Sequence, residues 1–166
     1  MMKLLPIQND KFPFLVIDNF YSAEELEKIW KEIDFLGDKA KPEYNVVAKK
    51  HGKPLASVKR VYLDNLYTTR KTSNILEFFP SKLYSQEVTD TYVNLVPSGV
   101  NFATSNHDTT QLSYYENKDG YKSHTDVSQH TALTWIYKEP KKFEGGDLIF
   151  TQSNVKVDCM YNRTVL

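Results

Sequence analysis

A chain of 166 residues, 40% hydrophobic and 25% charged, has the composition of one folded domain, which excludes a disordered protein. Its 21 basic residues balance its 21 acidic residues, so the charge gives no reason to expect nucleic acid or an anionic membrane surface as a partner. The only cysteine, Cys159, excludes an intrachain disulfide, and no segment approaches the roughly 20 consecutive apolar residues of a membrane-spanning helix.

The first segment predicts a cytoplasmic protein that begins with a buried strand. Residues 1–6 lack the apolar run of a signal peptide. Phe14–Ile17 is a short run of apolar residues that ends at Asp18, a pattern typical of a buried strand. The abundance of tyrosine and phenylalanine, with 11 and 9 residues, favours a β-rich core.

A core-facing helix is predicted next. Ser22 and Glu25 have the spacing of a capping box, in which the serine hydroxyl accepts a hydrogen bond from the glutamate N–H. Apolar residues then recur at helical spacing, and Gly37 follows where a helix end is expected. These apolar residues are Leu26, Ile29, Trp30, Ile33 and Leu36.

Residues 39–59 are polar and contain a small basic cluster. The cluster consists of Lys49, Lys50, His51 and Lys53. It lacks the interleaved aromatic residues of a segment that binds nucleic acid, so a solvated loop is the favoured interpretation. Residues 73–79 and 81–96 are predicted to be helical or mixed packing segments.

From Thr110 onward the chain favours strands separated by turns. The predicted strands cover residues 111–116, 131–137, 147–151, 155–159 and 163–166. Short strands at close spacing indicate a sandwich or barrel, with the helices packed on one outer face. The sequence therefore predicts an α+β fold in a single domain, residues 1–166, with a helical part at about 1–100 and a strand-rich part at about 101–166.

The tripeptide His124-Thr125-Asp126 is the main candidate for chemistry. On extended backbone, residues i and i+2 point to one side, so an imidazole and a carboxylate can converge on one ion. Two histidines and one carboxylate are the ligand set of non-haem iron(II) oxygenases. By itself the tripeptide carries little weight, because a surface histidine beside a solvated aspartate is the common alternative.

The motifs around this tripeptide occur in the order seen in one family. They are Tyr115, the Gly120 turn, Tyr121, the tripeptide, a strand that ends at Tyr137, the Gly145-Gly146-Asp147 turn with its following strand, and the opening Phe14–Phe20 before a capped helix. This order resembles the prolyl 4-hydroxylase-like iron(II)- and 2-oxoglutarate-dependent dioxygenases. The resemblance implies a double-stranded β-helix, or jelly roll, for the strand-rich part, and is densest over residues 114–166.

The resemblance also implies roles for individual residues. His124 and Asp126 would be iron ligands, Tyr115 would face the pocket for iron and cosubstrate, Tyr137 would help hold 2-oxoglutarate, and Leu148 would form an apolar wall. For both tyrosines, an ordinary core ring remains an open alternative. The implied cofactors are Fe(II), 2-oxoglutarate and ascorbate. The implied reaction is hydroxylation of a prolyl or similar residue in a peptide or protein substrate.

The other histidines do not match the motif of the family. His107 and His130 are therefore predicted not to be metal ligands, His51 is predicted to be solvated in the polar loop, and Trp135 is predicted to lie in the core.

The chain departs from the family at its C-terminus. In the family, a distal histidine and then a basic anchor for 2-oxoglutarate follow a strand that Arg163–Leu166 only begins to match. The jelly roll is thus expected to be truncated before its last strands, as a fragment or a natural truncation. Lys138 or Arg163 could replace the anchor, and nothing selects either. Two alternatives stay open, namely a non-catalytic jelly-roll binding module and a cupin-like metalloenzyme of other chemistry.

Overall fold

The computed structural model describes residues 1–9, 11–42 and 49–166, and within these ranges it contains five α-helices and thirteen strands. In chain order the elements are β1 (Lys3–Ile7), β2 (Phe14–Asp18), α1 (Ala23–Leu36), β3 (Lys41–Pro42), β4 (Lys49–Lys50), β5 (Lys53–Pro54), β6 (Ala56–Ser57), β7 (Lys59–Tyr62), α2 (Leu63–Leu66), α3 (Asn74–Leu83), α4 (Gln86–Leu95), α5 (Gly99–Ala103), β8 (Gln111–Tyr114), β9 (Gly120–Tyr121), β10 (Leu133–Trp135), β11 (Leu148–Phe150), β12 (Val155–Val157) and β13 (Arg163–Val165). No helix among the described residues has both the length and the apolar character needed to cross a membrane.

The chain divides into two compact units built from interleaved segments. The first unit consists of Met1–Ser22, Ser81–Asn106 and Asp126–Leu166, and the second of Ala23–Pro80 and His107–Thr125. Each unit has its own antiparallel sheets. Their strands come from different segments of the same unit, so that β13 pairs with β2 in the first unit and β7 pairs with β8 in the second.

The first unit is organised around a four-stranded antiparallel sheet in the order β1-β2-β13-β10. The predicted buried strand at residues 14–17 is confirmed, since Phe14, Leu15, Val16 and Ile17 of β2 are all buried. Strand β13 lies between β2 and β10, with Thr164 opposite Ile17 and Val165 opposite Val16. Hydrogen bonds in both directions between Leu15 and Leu166 extend this pairing.

Both faces of β2 are covered, which explains its continuous apolar run. One face contributes Phe14 and Val16 to a cluster with Val157 and Val165, and the β11-β12 hairpin packs against this cluster. Helix α4 packs beside β1 and β2. Its buried residues Val88, Tyr92 and Leu95 recur at helical spacing.

The second unit contains a three-stranded antiparallel sheet in the order β3-β7-β8, together with the β4-β5 and β6-β9 pairs. Helix α1 occupies Ala23–Leu36, so it begins directly after Ser22 and ends before Gly37, as the sequence predicts; a 3-10 turn then begins at Gly37. Residues 73–79 and 81–96, predicted to be helical or mixed packing segments, prove to be helical: they belong to α3, which continues through Pro80 to Leu83, and α4.

The prediction of a solvated loop at residues 39–59 is wrong for the described part of that segment, because short paired strands run through it. It carries β3, β4, β5, β6 and the start of β7, while residues 43–48 lie outside the described residues. His51 and Gly52 both have positive φ, at 51° and 77°, and form the tight turn between β4 and β5. Two-residue strands carry too little periodicity to be recognised in a sequence.

The expected division into a helical part and a strand-rich part also differs from the structure. All described helices precede residue 104, as predicted, but β1 to β7 lie in the same region. The sheets among the described residues are small, separate and antiparallel, and they do not form a closed jelly roll. The jelly roll therefore stays a prediction, within a chain that mixes helices and strands.

Gly99 is where α5 begins, against the end of α4. We expect Gly99→Ala to lower the free energy of unfolding by about 2 kcal/mol, since overpacking of backbone against backbone is not relieved by side-chain rotation. The added Cβ would lie 2.6 Å from Val93 Cα and 2.8 Å from Tyr92 O. Urea denaturation measures the effect. Gly37→Ala is the matched control, because a Cβ there meets nothing within 4 Å.

Candidate functional site

The His124-Thr125-Asp126 tripeptide lies in an irregular segment between β9 and β10. Neither His124 nor Asp126 belongs to a helix, and both are exposed. This segment follows the pairing of β9 with β6, in which Tyr121 lies opposite Ala56. A hydrogen bond from Lys122 N to Leu55 O, 2.8 Å long, continues that pairing up to the start of the tripeptide. The backbone before His124 is therefore anchored to the second unit.

The ring of His124 is oriented by two neighbours. Its Nδ1 lies 2.8 Å from Lys122 O, and because a carbonyl oxygen only accepts hydrogen bonds, Nδ1 is the donor. In the neutral ring, this places the lone pair on Nε2. The ring also stacks on Tyr121, with centroids 3.8 Å apart and an interplanar angle of 14°. A metal-ligating histidine is typically held in this way, with the other ring nitrogen donating to a carbonyl or carboxylate.

The carboxylate of Asp126 is held within the first unit. Its Oδ2 accepts a hydrogen bond of 2.9 Å from Thr131 Oγ1. Ligating carboxylates are commonly hydrogen bonded in turn, and such bonds orient them. Within the described ranges, no group of three or more His, Cys, Asp or Glu side chains is placed to hold a metal ion. An imidazole and a carboxylate are two of the three donors that iron(II) takes in non-haem oxygenases.

Tyr115 follows β8 and lies beside a residue that the sequence analysis did not single out, Arg60. In the β7-β8 pairing Arg60 lies opposite Ser113, so Tyr115, two residues further on, shares the face of Arg60. Burial raises the pKa of the Tyr115 hydroxyl, whereas the charge and hydrogen bonding of Arg60 lower it. The burial that raises this pKa acts on the hydroxyl group. The residue as a whole is 52% exposed.

Arg60 is the residue that links the predicted site residues of the second unit. It is only 4% exposed, and its guanidinium carbon lies 5.0 Å from the centroid of the Tyr121 ring. Because Tyr121 in turn stacks on His124, the three side chains form one continuous series. The sequence held no signal for Arg60, because Val58-Lys59-Arg60-Val61 does not alternate apolar with polar residues, and only the structure shows Arg60 on the buried side of the strand.

Tyr137 and Leu148, the other two predicted site residues, lie in the first unit. The Tyr137 hydroxyl accepts a hydrogen bond of 2.8 Å from the N–H of Tyr161, and its ring meets Phe143 edge to face at 5.3 Å. Accepting this bond leaves the hydroxyl able to donate. Leu148 is opposite Val157 in the β11-β12 hairpin and packs against the apolar cluster of the four-stranded sheet.

Of the two candidate basic anchors, Arg163 has a structural role. Its Nε and one terminal nitrogen donate to the two carboxylate oxygens of Asp18, at 2.6 and 3.0 Å. This bidentate pair connects β13 to the end of β2, and its two side chains are 14% and 20% exposed. Asp18 thus engages the edge of the guanidinium formed by Nε and one terminal nitrogen, and a role of Arg163 as a cosubstrate anchor stays a prediction. Lys138 remains a prediction.

The three remaining histidines lie apart from the tripeptide in sequence, and two are exposed. His51 occupies the β4-β5 turn, and His107 precedes β8. His130 lies in the first unit, where its Nδ1 is 3.2 Å from the Tyr92 hydroxyl and its ring meets Phe102 at 5.7 Å. Burial lowers the pKa of His130. Trp135 packs against the apolar cluster and donates from Nε1 to Gly146 O.

Comparisons of the chain with protein-family models, with curated proteins and with solved structures give no match. A functional hypothesis therefore depends on the residues described above and on their chemistry.

Proposed function

We propose that this chain belongs to an iron(II)- and 2-oxoglutarate-dependent oxygenase that hydroxylates a C–H bond, in a prolyl or similar residue of a peptide. The observation that carries the proposal is the His124 ring, whose Nδ1 donates to Lys122 O and whose Nε2 lone pair is thereby suited to bind a metal. The ordered motifs from Tyr115 to the Gly145-Gly146 turn support the same interpretation.

The donor set fits iron(II) at two positions. His124 would bind through Nε2 and Asp126 through a carboxylate oxygen, the two residues being separated by Thr125 alone. When bound, iron(II) would supply the redox chemistry that couples decarboxylation of 2-oxoglutarate to oxidation of the substrate. Thr131 would hold the carboxylate in place, and Tyr121 would limit rotation of the imidazole.

Metal binding tests the proposal directly. We expect Mn(II), a redox-stable substitute for iron(II), to bind in calorimetry, and His124→Ala to weaken binding by about 100-fold or more, because it removes a ligand outright. Thr131→Val should weaken binding by about tenfold, since it removes only the hydrogen bond that orients Asp126. His107→Ala is the matched control and should bind Mn(II) like the unaltered chain.

The other outcomes identify the alternatives. If Mn(II) binds equally well to His124→Ala and to the unaltered chain, the proposed ligand is wrong. If Mn(II) does not bind at all, the non-catalytic binding module is the better description. If Mn(II) binds but 2-oxoglutarate neither tightens that binding nor is converted to succinate with iron(II) and ascorbate, a cupin-like metalloenzyme of other chemistry is favoured.

A further inference from the structure

Arg60 is a buried cation whose charge is not compensated by an acidic residue among the described residues. It is 4% exposed, and its Nε is buried without a hydrogen-bond partner. No carboxylate of the described residues forms an ion pair with it, whereas the neighbouring Lys59 pairs with Glu116 at 2.7 Å. A guanidinium stays charged at any relevant pH, so its burial is strongly unfavourable unless an anion compensates for its charge.

Two tyrosines flank this guanidinium on the second unit. Tyr121 contributes its ring face at 5.0 Å, which stabilises the cation in part. Tyr115 lies on the same face of the sheet and contributes its hydroxyl. The Tyr115 hydroxyl accepts from Arg60 and keeps its own O–H to donate, and the Arg60 Nε–H has no partner, so the hydrogen-bonding groups left over in this pair are donors.

A set of donors around a cation matches a carboxylate. We propose that Arg60 and Tyr115 form a binding site for the carboxylate of a small organic acid, with Tyr121 as its aromatic wall. A carboxylate accepts two parallel hydrogen bonds from a guanidinium and a further one from a hydroxyl. A lysine in the place of Arg60 would offer a point charge and could not donate two parallel hydrogen bonds to a carboxylate.

Tyr115 is 52% exposed and therefore lies at the surface of the second unit, beside the buried Arg60. Asp119 is the acidic residue whose charge acts on this pair, because it contributes to raising the pKa of Tyr115. Its carboxylate is already bound by Ser57 Oγ at 2.6 Å and by Glu116 N at 2.9 Å. It does not neutralise Arg60.

The proposal does not require a metal at His124 and Asp126. If the oxygenase proposal holds, the carboxylate belongs either to the cosubstrate or to an acidic acceptor substrate, because Tyr121 connects Arg60 to His124. Both sources share the same chemistry. The position differs from the basic anchor that the family resemblance implies, which lies beyond Arg163.

The test is calorimetric titration of the whole chain with succinate in the presence of EDTA. We expect saturable binding, loss of that binding in Arg60→Gln, and weakening by at least about tenfold in Tyr115→Phe, which removes one hydrogen bond to a charged group. Lys59→Gln is the matched control, because it removes a neighbouring cation on the opposite face of the same strand. It should bind succinate as the unaltered chain does.

Arg60→Gln could fail to fold, so the melting temperature of each variant is measured first. Tyr115→Phe keeps the half-exposed ring and provides the decisive comparison if Arg60→Gln is unfolded. The proposal is overturned if succinate does not bind, or if binding is unchanged in Tyr115→Phe and in a folded Arg60→Gln.

A second titration, with Mn(II) in place of EDTA, distinguishes the two sources. Suppose that 2-oxoglutarate binds more tightly than succinate only when Mn(II) is present, and that His124→Ala abolishes this difference. The carboxylate then belongs to the cosubstrate. Equal binding of both acids with or without Mn(II) assigns it to another organic acid. Because the first titration contains no metal, failure of the oxygenase proposal leaves its result unaffected.

Discussion

Replacing Asn162 with alanine should lower the free energy of unfolding by about 3 to 4 kcal/mol, since it removes two buried hydrogen bonds to the backbone and strains the backbone at position 162. Asn162 is 6% exposed and lies just before β13. Its Oδ1 accepts from Tyr21 N, and its Nδ2 donates to Tyr21 O, both at 2.8 Å. Its φ is 58°, a left-handed conformation that asparagine tolerates better than alanine.

Two variants separate these contributions. Asn154, exposed in the turn between β11 and β12, has a φ of 54°, so Asn154→Ala should show the conformational part alone, about 1 kcal/mol. Asn162→Gly relieves the strain but still removes both hydrogen bonds, and should be intermediate. Urea denaturation measures all three, and the melting temperature of Asn162→Ala should fall on the order of 10 °C. Equal effects at Asn154 and Asn162 would contradict the proposed role of the buried amide.

Replacing Glu32 with leucine should destabilise the protein by about 3 kcal/mol, because it leaves buried donors without an acceptor. Glu32 lies on α1 and is 6% exposed. Its carboxylate accepts from the hydroxyl of Ser73 and, at 3.1 Å, from the N–H of Ile75. Ser73 Oγ in turn accepts from Leu76 N, so Glu32 and Ser73 together cap the start of α3.

Glu27 on the same helix provides the control. Its side chain is 69% exposed and pairs with Lys31, so Glu27→Leu should change the stability by less than about 0.5 kcal/mol. A second measurement follows the ionisation of Tyr67, whose pKa is raised to about 12 by burial, and then by hydrogen bonding and charge from Glu32. In Glu32→Leu that pKa should fall. An unchanged stability together with an unchanged Tyr67 pKa would show that Glu32 does not form these contacts in solution.

The local contacts of the candidate site were within reach of sequence reasoning. His124 and Asp126 were singled out from a spacing of two, and the groups that orient the imidazole, Lys122 O and the Tyr121 ring, are two and three residues away. Arg60 was missed because an arginine in a strand pattern looks the same whether its side chain is solvated or buried. Only the pairing of β7 with β8 brings it beside Tyr115.

The same distinction holds for the interpretation of Arg163. From the sequence it is a free cation at the start of a strand. In the structure Asp18, which is 145 residues away, accepts hydrogen bonds from Nε and one terminal nitrogen of Arg163. Contacts at this separation depend on the register of β13 against β2, and no local periodicity encodes that register.

By itself the sequence determined the positions of α1 and β2 and indicated the strand segments that become β8 and β10 to β13, because apolar periodicity and turn residues act within a few residues. Only the tertiary structure decided that β13 is inserted between β2 and β10, that Asn162 completes the hydrogen bonding of Tyr21, and that the polar segment before β7 forms short paired strands. These features arise from non-local pairing, in which burial and hydrogen bonding of distant segments outweigh local preference.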